Sequence, residues 1–374
     1  MNAATNPAAS PAMSPTRQHH RQDQHPHPHP QQAQATQTAS VRHVLVHLIT
    51  PLLMCVGMGL AYMSAFMVPH PHHVKVAVIG EGPRVTAVAQ AIQSKAGDAL
   101  QVSTLPTTDA AVAQLHSRNL VGAFVPDPAK PQLFIAEGDS DSSATVATKV
   151  FTTVAAVEDK PLTLTDVAPT TPDDPANSGP FFLMIAVSIG SYSAVAAIGA
   201  GAAGWSLTRK AVLALGTATV VSVIGAALAG PVFHLAHHSL AGVWGLAWLY
   251  SASILLIGVG LHPFLKRWTT LVMMVLFVML NFTSSGGLFQ PALQNGFFGG
   301  LHAFWNGAGL VEGVRSLLYF GGTGVARHAW TLVGWVGVGV LTVGAAALAE
   351  RRNRVSEDET EAEAEEELEE LVAV

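Results

Sequence analysis

The segment from residue 180 to residue 349 is almost free of charge, and this constrains the fold more than any other feature of the sequence. It contains one acidic residue, Glu312, and six basic residues. The bases are Arg209, Lys210, Lys266, Arg267, Arg315 and Arg327. Soluble domains carry about a quarter charged residues, whereas this chain carries 12%. Because a charge near the bilayer centre costs about 2.5–3.5 kcal/mol on insertion scales, this composition predicts a membrane domain.

Six apolar runs divide the chain, and each is a candidate for crossing a bilayer with a hydrocarbon core of about 30 Å. They cover residues 44–68, 180–204, 211–233, 241–262, 268–282 and 329–349. The first is too long and too far from residue 1 for the core of a cleaved signal peptide, so we expect a retained anchor. The fold class that follows is an α-helical polytopic membrane protein with six transmembrane helices.

Lysine and arginine lie at every second junction between these runs, and this pattern predicts the orientation. The bases concerned are Arg42, Arg209, Lys210, Lys266, Arg267, Arg351, Arg352 and Arg354. With all of them placed in the cytoplasm, both termini are cytoplasmic and the other junctions face outward. We therefore expect a multi-pass protein of the cell membrane.

The regions between and beyond the runs differ sharply in composition. Residues 1–41 are rich in His, Pro and Gln and predict a disordered cytoplasmic tail. The first transmembrane helix is expected at 42–68, an extracytoplasmic α/β domain at 74–178 and a five-helix membrane domain at 180–349. Residues 350–374 form an acidic cytoplasmic tail.

The α/β domain is inserted between the first and second spans, and its pattern alternates between strand and helix. "VKVAVIG", "LQVSTLP", "VGAFVPD" and "PQLFIAEG" predict strands, and the segments between and after them predict helices. The end of the domain, "TLTDVAPTTPDDPANSGP", predicts a linker into the second span.

The sequence contains no site for its own energy source. No lysine is followed by Ser or Thr, so there is no phosphate-binding loop of the Walker type. The single cysteine, Cys55, excludes a multi-cysteine metal site. We therefore expect no enzymatic activity and no cofactor bound by this chain. A transport function would use ATP through a partner subunit.

Two groups of histidines fall on the outer side in this topology. One is His70, His72 and His73, and the other is His234, His237 and His238. On a helix, the spacing of the second group would bring three imidazoles to one face, as zinc or copper requires. We interpret both groups as histidines at helix ends, with His234, His237 and His238 as the alternative metal ligands.

The segment between the fifth and sixth runs is too broken for a spanning helix and too apolar for an ordinary loop. We expect an outer re-entrant segment over 284–322, with chain breaks at its glycines, because irregular backbone at membrane depth must be packed in protein. Residues at helical spacing are expected on one buried face. These are Leu301, Phe304, Trp305, Ala308, Val311, Val314 and Leu318, whereas Asn306, Gly309, Gly313 and Ser316 fall mostly elsewhere. Glu312 and Arg315 are expected to pair. A plain outer loop with an interfacial helix is the alternative.

Particular residues in this architecture resemble a known family. They are Ser284, Ser285, Gly286 and Gly287 after the fifth run, Phe297–Phe298, and "LVEGVRSLLYFGG" at 310–322. In the α/β domain they are "VKVAVIGEG" and "AVAQLHSRNLVGAFVPD". Over roughly residues 42–350 the chain resembles the permease subunits of type-2 ABC exporters, in the branch that includes phage-infection-protein-like membrane proteins.

The resemblance implies a permease subunit that exports a hydrophobic or amphipathic substrate with energy from a separate ABC ATPase. Its implied partners are that ATPase, a second permease in a homodimer or pair, and the lipid bilayer, with no nucleic acid. Arg209, Lys210, Lys266 and Arg267 are the expected ATPase-docking residues. The alternative function is a non-transporting, membrane-anchored surface protein whose outer domain binds a ligand or partner.

Overall fold

A computed structural model describes residues 41–157 and 160–372 of the chain. The predicted tail at 1–41 lies almost wholly outside the described residues. The chain divides into two units, with the boundary between Leu48 and Ile49. The helices are α1 Val41–Phe66, α2 Pro83–Ala96, α3 Thr108–His116, α4 Asp141–Val157, α5 Gly179–Gly201, α6 Leu207–Ala227, α7 Leu240–Leu265, α8 Thr269–Met274, α9 Leu280–Ser284, α10 Gly296–His302, α11 Asn306–Tyr319 and α12 Val325–Val372.

The sequence-based expectation of a mostly helical chain with membrane-crossing helices and a small α/β sheet is confirmed. Four helical segments among the described residues are long and apolar enough to cross a membrane. They are Gly179–Gly201, Leu207–Val232, Leu240–Ser284 and Val325–Glu363. A shorter apolar helix, Pro51–Phe66, lies in the first predicted span.

The third of these segments contains the fourth and fifth predicted spans, and the chain reverses inside it. Lys266 has a φ of 48°, which breaks the helix after α7. The Asn281 side chain donates to the Tyr250 hydroxyl at 2.7 Å, although the two residues are 31 positions apart. A straight helix would separate them by about 46 Å, so α7 and α8–α9 form an antiparallel hairpin.

The sheet has five strands in the order β2-β1-β3-β4-β5. The strands are β1 Val74–Ile79, β2 Leu100–Leu105, β3 Gly122–Val125, β4 Gln132–Ile135 and β5 Thr163–Asp166. All neighbours are parallel except β3 and β4, which pair from Gly122 opposite Ile135 to Val125 opposite Gln132. The expectation of a linker from residue 163 onward is wrong in its first part, because β5 pairs along β4 there.

Both faces of the sheet are completed by residues from beyond the α/β region. One face packs against α2, α4 and Leu293, which lies between α9 and α10. The other face packs against α3 and Phe320, which follows α11. The backbone joins the two regions as well, since the amides of His70 and His72 donate to the carbonyls of Leu293 and Ala292, both at 2.9 Å. The α/β region therefore holds the segment between α9 and α12 from two sides.

The opposite end of the bundle is formed by the short connections α5–α6 and α7–α8. His262 near the end of α7 packs against Gly199 near the end of α5. At the other end of α5, Gly179 packs against Leu235, and the Asp174 carboxylate accepts the amide hydrogens of Ser178 and Gly179. The α/β region and the basic connections thus lie at opposite ends of the helices.

Candidate functional site at the junction of the α/β region and the bundle

Helix α11 is enclosed on all sides over its first three turns. Every residue from Asn306 to Ser316 is buried. Gly309 packs against Leu332 of α12, and Gly313 packs against Leu246 of α7. The expectation of a single buried face is therefore wrong, because the small residues that were placed elsewhere let neighbouring helices close over the other faces. Phe304, which was expected to be buried, is 53% exposed.

Glu312 is the acceptor at the centre of this enclosed helix. Its side chain accepts hydrogen bonds from Arg315 Nη1 at 2.9 Å, from Gln290 Nε2 at 3.2 Å and from Arg118 Nη2. Burial opposes ionisation of the carboxyl, but the guanidinium groups of Arg118 and Arg315 outweigh it and hold the pKa of Glu312 well below its usual range. The expected pair Glu312–Arg315 is present, and a second arginine joins it.

The contacts of Arg315 give a structural reason for the sequence Ser284, Ser285, Gly286 and Gly287. Helix α9 ends at Ser284, and Gly286 has a φ of 75°, so the carbonyls at this break have no helical partner. Arg315 donates to the carbonyl of Gly286 at 2.8 Å and to that of Gly287 at 2.9 Å. The Ser285 hydroxyl accepts the Gly287 amide hydrogen at 3.1 Å. The carbonyls of Gly286 and Gly287 at this break are therefore satisfied by a side chain of the protein.

The third charged member, Arg118, comes from the α/β region and was missed from the sequence. It follows the end of α3 with a φ of 61°, a conformation that usually belongs to glycine. Its guanidinium binds Asp139 and Glu312, and it donates to the Ser316 hydroxyl at 3.3 Å. Burial lowers the pKa of Arg118, but the two carboxylates outweigh it and the pKa is raised. Its 194-residue distance from Glu312 left no spacing signal in the sequence.

The side chains of Asn177 and Tyr319 also connect α11 to the α/β region. Asn177 donates to the carbonyls of Glu137 at 3.0 Å and Gly138 at 2.8 Å, and its own oxygen lies 3.4 Å from Arg315 Nε. The Tyr319 hydroxyl donates to Asp174 at 2.7 Å. Asp174 and Asn177 belong to the stretch that the sequence indicated as a linker. It is instead an ordered part of the contact between α11 and the α/β region.

A cavity of about 270 Å³ opens beside this network. The charged or titratable side chains that line it are Arg118, Asp139, His302, Glu312, Arg327 and His328. His302 is half-buried, and its Nδ1 donates to the carbonyl of Ser284 at 3.0 Å. Burial lowers the pKa of His302, with the charge of Glu312 opposing that shift. The cavity combines arginine and histidine donors with carboxylates that already have partners.

The expected docking residues lie together at the opposite end of the bundle. Arg209, Lys266 and Arg267 are exposed, and Lys210 is half-buried. Trp205 and Trp268 flank these connections and are 49% and 47% exposed. No ion pair to these four bases occurs among the described residues.

The histidine group at 234–238 does not lie on a helix, so the reasoning from helical spacing was wrong. The α6 region ends in a π-helical turn at Val232, and His234 has a φ of 52°. His237 Nε2 lies 3.3 Å from the carboxylate of Asp173. Within 41–157 and 160–372, no cluster of three or more His, Cys, Asp or Glu side chains is arranged to hold a metal ion.

Comparison with known proteins gives no relative: no family model, no curated protein and no solved structure matches the chain. The function is therefore inferred from the chemistry and placement of the described residues. The chemistry of the junction fits two tasks, which are holding two parts of the molecule together and receiving a polar group in the cavity.

Proposed function

We propose that the chain is the membrane-spanning permease subunit of an ABC-type exporter, which moves a hydrophobic or amphipathic substrate with energy from a separate ATPase. The observation that carries the proposal is the segment between α9 and α12. It is folded as short helices, of which α11 is buried from Asn306 to Ser316, and it is joined to the α/β region by the Arg118–Glu312–Arg315 network. A plain connecting loop would not be expected to bury charged side chains, because each buried charge without a partner costs several kcal/mol.

The two ends of the bundle support an asymmetric arrangement across the membrane. Near the α/β region, Arg118, Glu312 and Arg315 are paired and largely buried, whereas the other end exposes Arg209, Lys266 and Arg267. The positive-inside rule assigns the exposed bases to the cytoplasm. In this proposal six helices cross the cell membrane, both termini are cytoplasmic and the α/β region is extracytoplasmic.

Energy enters, in this proposal, at the two basic connections. The chain lacks a phosphate-binding loop, so ATP is used by a partner subunit and no cofactor is bound here. The exposed Trp205 and Trp268 beside Arg209, Lys210, Lys266 and Arg267 offer an aromatic and cationic surface to an ATPase. Exposed aromatic and arginine side chains are enriched at protein interfaces. The permease works as a homodimer or as one half of a pair, and binds no nucleic acid.

Gentle detergent extraction followed by mass spectrometry tests the docking. We expect an ABC ATPase to accompany the unmodified protein and to be lost, largely, from the double variant Arg209→Gln/Lys210→Gln. The variant Arg84→Gln/Lys95→Gln is the matched control, because it removes two exposed bases from α2 at the other end of the molecule. Both variants should insert normally, since other connections also set the orientation. An ATPase absent even from the unmodified protein would remove the exporter proposal.

A surface groove favours a second function of a different class. Helices α2 and α4 leave a largely apolar groove of about 560 Å³, lined by Ile92, Val150, Val154 and neighbouring residues. A membrane-anchored surface protein would use such a groove to bind a ligand or partner. If the isolated protein has no ATPase, this groove is the next site to test, by comparing ligand binding by the unmodified protein and the Val150→Asp variant.

A further inference from the structure

The cavity beside the Arg118–Glu312–Arg315 network has an excess of positive charge. Its two carboxylates, Asp139 and Glu312, are both bound by Arg118, and Glu312 is also bound by Arg315. Arg327, on the first turn of α12, also lines the cavity. Its guanidinium forms no ion pair or hydrogen bond with any other part of the chain that the structure describes. A third charged donor, beyond what the two carboxylates need, therefore faces the cavity.

Neutral donors lie around the same space. The Thr323 hydroxyl and the His328 ring line the cavity and have no hydrogen-bond partner within the described ranges. His302, on the other wall, donates its Nδ1 hydrogen to the Ser284 carbonyl, so the Nε2 of its neutral ring is an acceptor and adds no donor to the cavity. A phosphate group accepts several hydrogen bonds at once and pairs with arginine in a fixed geometry. These donors therefore suit an anionic oxygen-rich group better than a cation.

Exposed aromatic side chains continue from the rim of the cavity. Phe304 follows the lining residue Ala303 and is 53% exposed, and Trp330 precedes the lining residue Thr331 and is 72% exposed. Trp330 lies close to one turn along α12 from Arg327, so it is a neighbour of that guanidinium on the helix surface. An apolar chain attached to an anion in the cavity can lie against these rings. A small free anion would leave them unused.

We propose that this cavity binds the phosphate-bearing head group of an anionic amphiphile, with its apolar chain along Phe304 and Trp330. Naming this molecule the substrate rests on the proposed function. The binding itself does not, because it needs only the described residues of this chain. The Arg118–Glu312–Arg315 network keeps the two carboxylates neutralised, so that Arg327 remains available to the ligand.

Binding to the purified full-length protein in a neutral detergent tests the proposal. The probes are dioctanoyl phosphatidylglycerol, dioctanoyl phosphatidylcholine and inorganic phosphate. We expect the first to bind more tightly than the second, which has the same phosphate but no net charge. Removal of a charge-assisted contact by Arg327→Gln should weaken the first probe by about tenfold. Thr323→Val should weaken it less.

Arg84→Gln is the matched control, because Arg84 is also an exposed arginine at a helix start but lies on α2 of the α/β region. It should leave the affinity unchanged. Equal effects of Arg327→Gln and Arg84→Gln, or equal binding of the two lipids, would overturn the proposal. Inorganic phosphate as tight as the lipid would also overturn it, because the site would then be one for a free anion. ATPase co-purification is scored separately on the same variants and should not change with Arg327→Gln.

Discussion

The two ends of the helical bundle treat charge in opposite ways. At the end next to the α/β region, Glu312 and Arg315 are 2% and 1% exposed, and Glu312 is paired with both Arg315 and Arg118. At the other end, the side chains of Arg209, Lys266 and Arg267 are exposed and form no ion pair among the described residues. Buried charges are costly to separate, whereas exposed charges contribute little to stability. The first end therefore serves to join two parts of the molecule, and the second is free to meet a partner.

The largest expected effect follows from removing the central charge. Glu312→Gln leaves Arg118 and Arg315 close together without their shared carboxylate, so the folded state should lose about 3–5 kcal/mol of its unfolding free energy. Chemical unfolding of the purified protein in detergent measures this. Glu81→Gln is the control, because Glu81 is exposed, and it should change stability by less than about 0.5 kcal/mol. Equal stability of the two variants would mean that the network does not hold the junction.

A smaller loss is expected from the partner in the α/β region. Arg118→Gln should cost about 2–3 kcal/mol, because water still reaches the Arg118 side chain, which is 14% exposed. Hydrogen exchange should rise on both sides of the junction, in α3 and in α11. The variant Arg118→Gly removes both the charge and the strain of a side chain at positive φ, whereas Arg118→Gln removes only the charge. Glycine adopts the positive φ at lower cost, so this variant should recover about 1 kcal/mol relative to Arg118→Gln. A glycine variant as stable as the unmodified protein would show that the ion pairs contribute no more than the backbone strain that glycine relieves.

Acidification should weaken the buried end through His302 before it affects Glu312. The pKa of His302 is lowered in the folded state, so between pH 7 and 5 the unfolded chain takes up a proton that the folded chain resists. Stability therefore falls as pH drops below about 6.5, by at most about 1.4 kcal/mol per pH unit. Glu312 has a folded pKa below its usual value, so its contribution is complete above about pH 4.3 and is lost only in stronger acid.

His302→Asn tests this assignment, because the amide retains a donor towards the Ser284 carbonyl and cannot take up the proton. The fall in melting temperature between pH 7 and 5 should be smaller in this variant than in the unmodified protein. His116→Asn, at an exposed histidine of α3, should leave the slope unchanged. If His302→Asn kept the full slope, another group would be responsible for the acid sensitivity.

The sequence predicted the exposed end of the bundle more completely than the buried end. The exposed end was accessible from composition alone, since Arg209, Lys210, Lys266 and Arg267 stand out against apolar runs. At the buried end, the spacing of Glu312 and Arg315 predicted their pairing, because residues three apart on a helix are neighbours. Arg118, Asp139 and Asn177 were missed, because each is brought to α11 by the folding of the sheet. Their positions in the sequence contain no trace of that proximity.

The linker and the one-faced helix were wrong for a related reason. Thr163–Asp166 has a polar composition, and only its pairing with β4 makes it a strand. In α11, Gly309 and Gly313 look like positions for a solvent-facing or loose side. Their lack of a side chain instead lets Leu332 and Leu246 close over them. Burial that depends on small residues is decided by what packs against them, and that cannot be read from one segment.

Single-cysteine labelling in intact cells tests most directly whether the two ends face opposite sides of the membrane. The background is Cys55→Ala, which removes the chain's one native cysteine. Ser94→Cys places a thiol on an exposed position of α2, and Ser356→Cys places one on an exposed position of α12 beyond the basic end. An impermeant maleimide should label the Ser94→Cys variant in intact cells and the Ser356→Cys variant only after permeabilisation. Labelling of both in intact cells, or the reverse order, would contradict the assignment of the two ends.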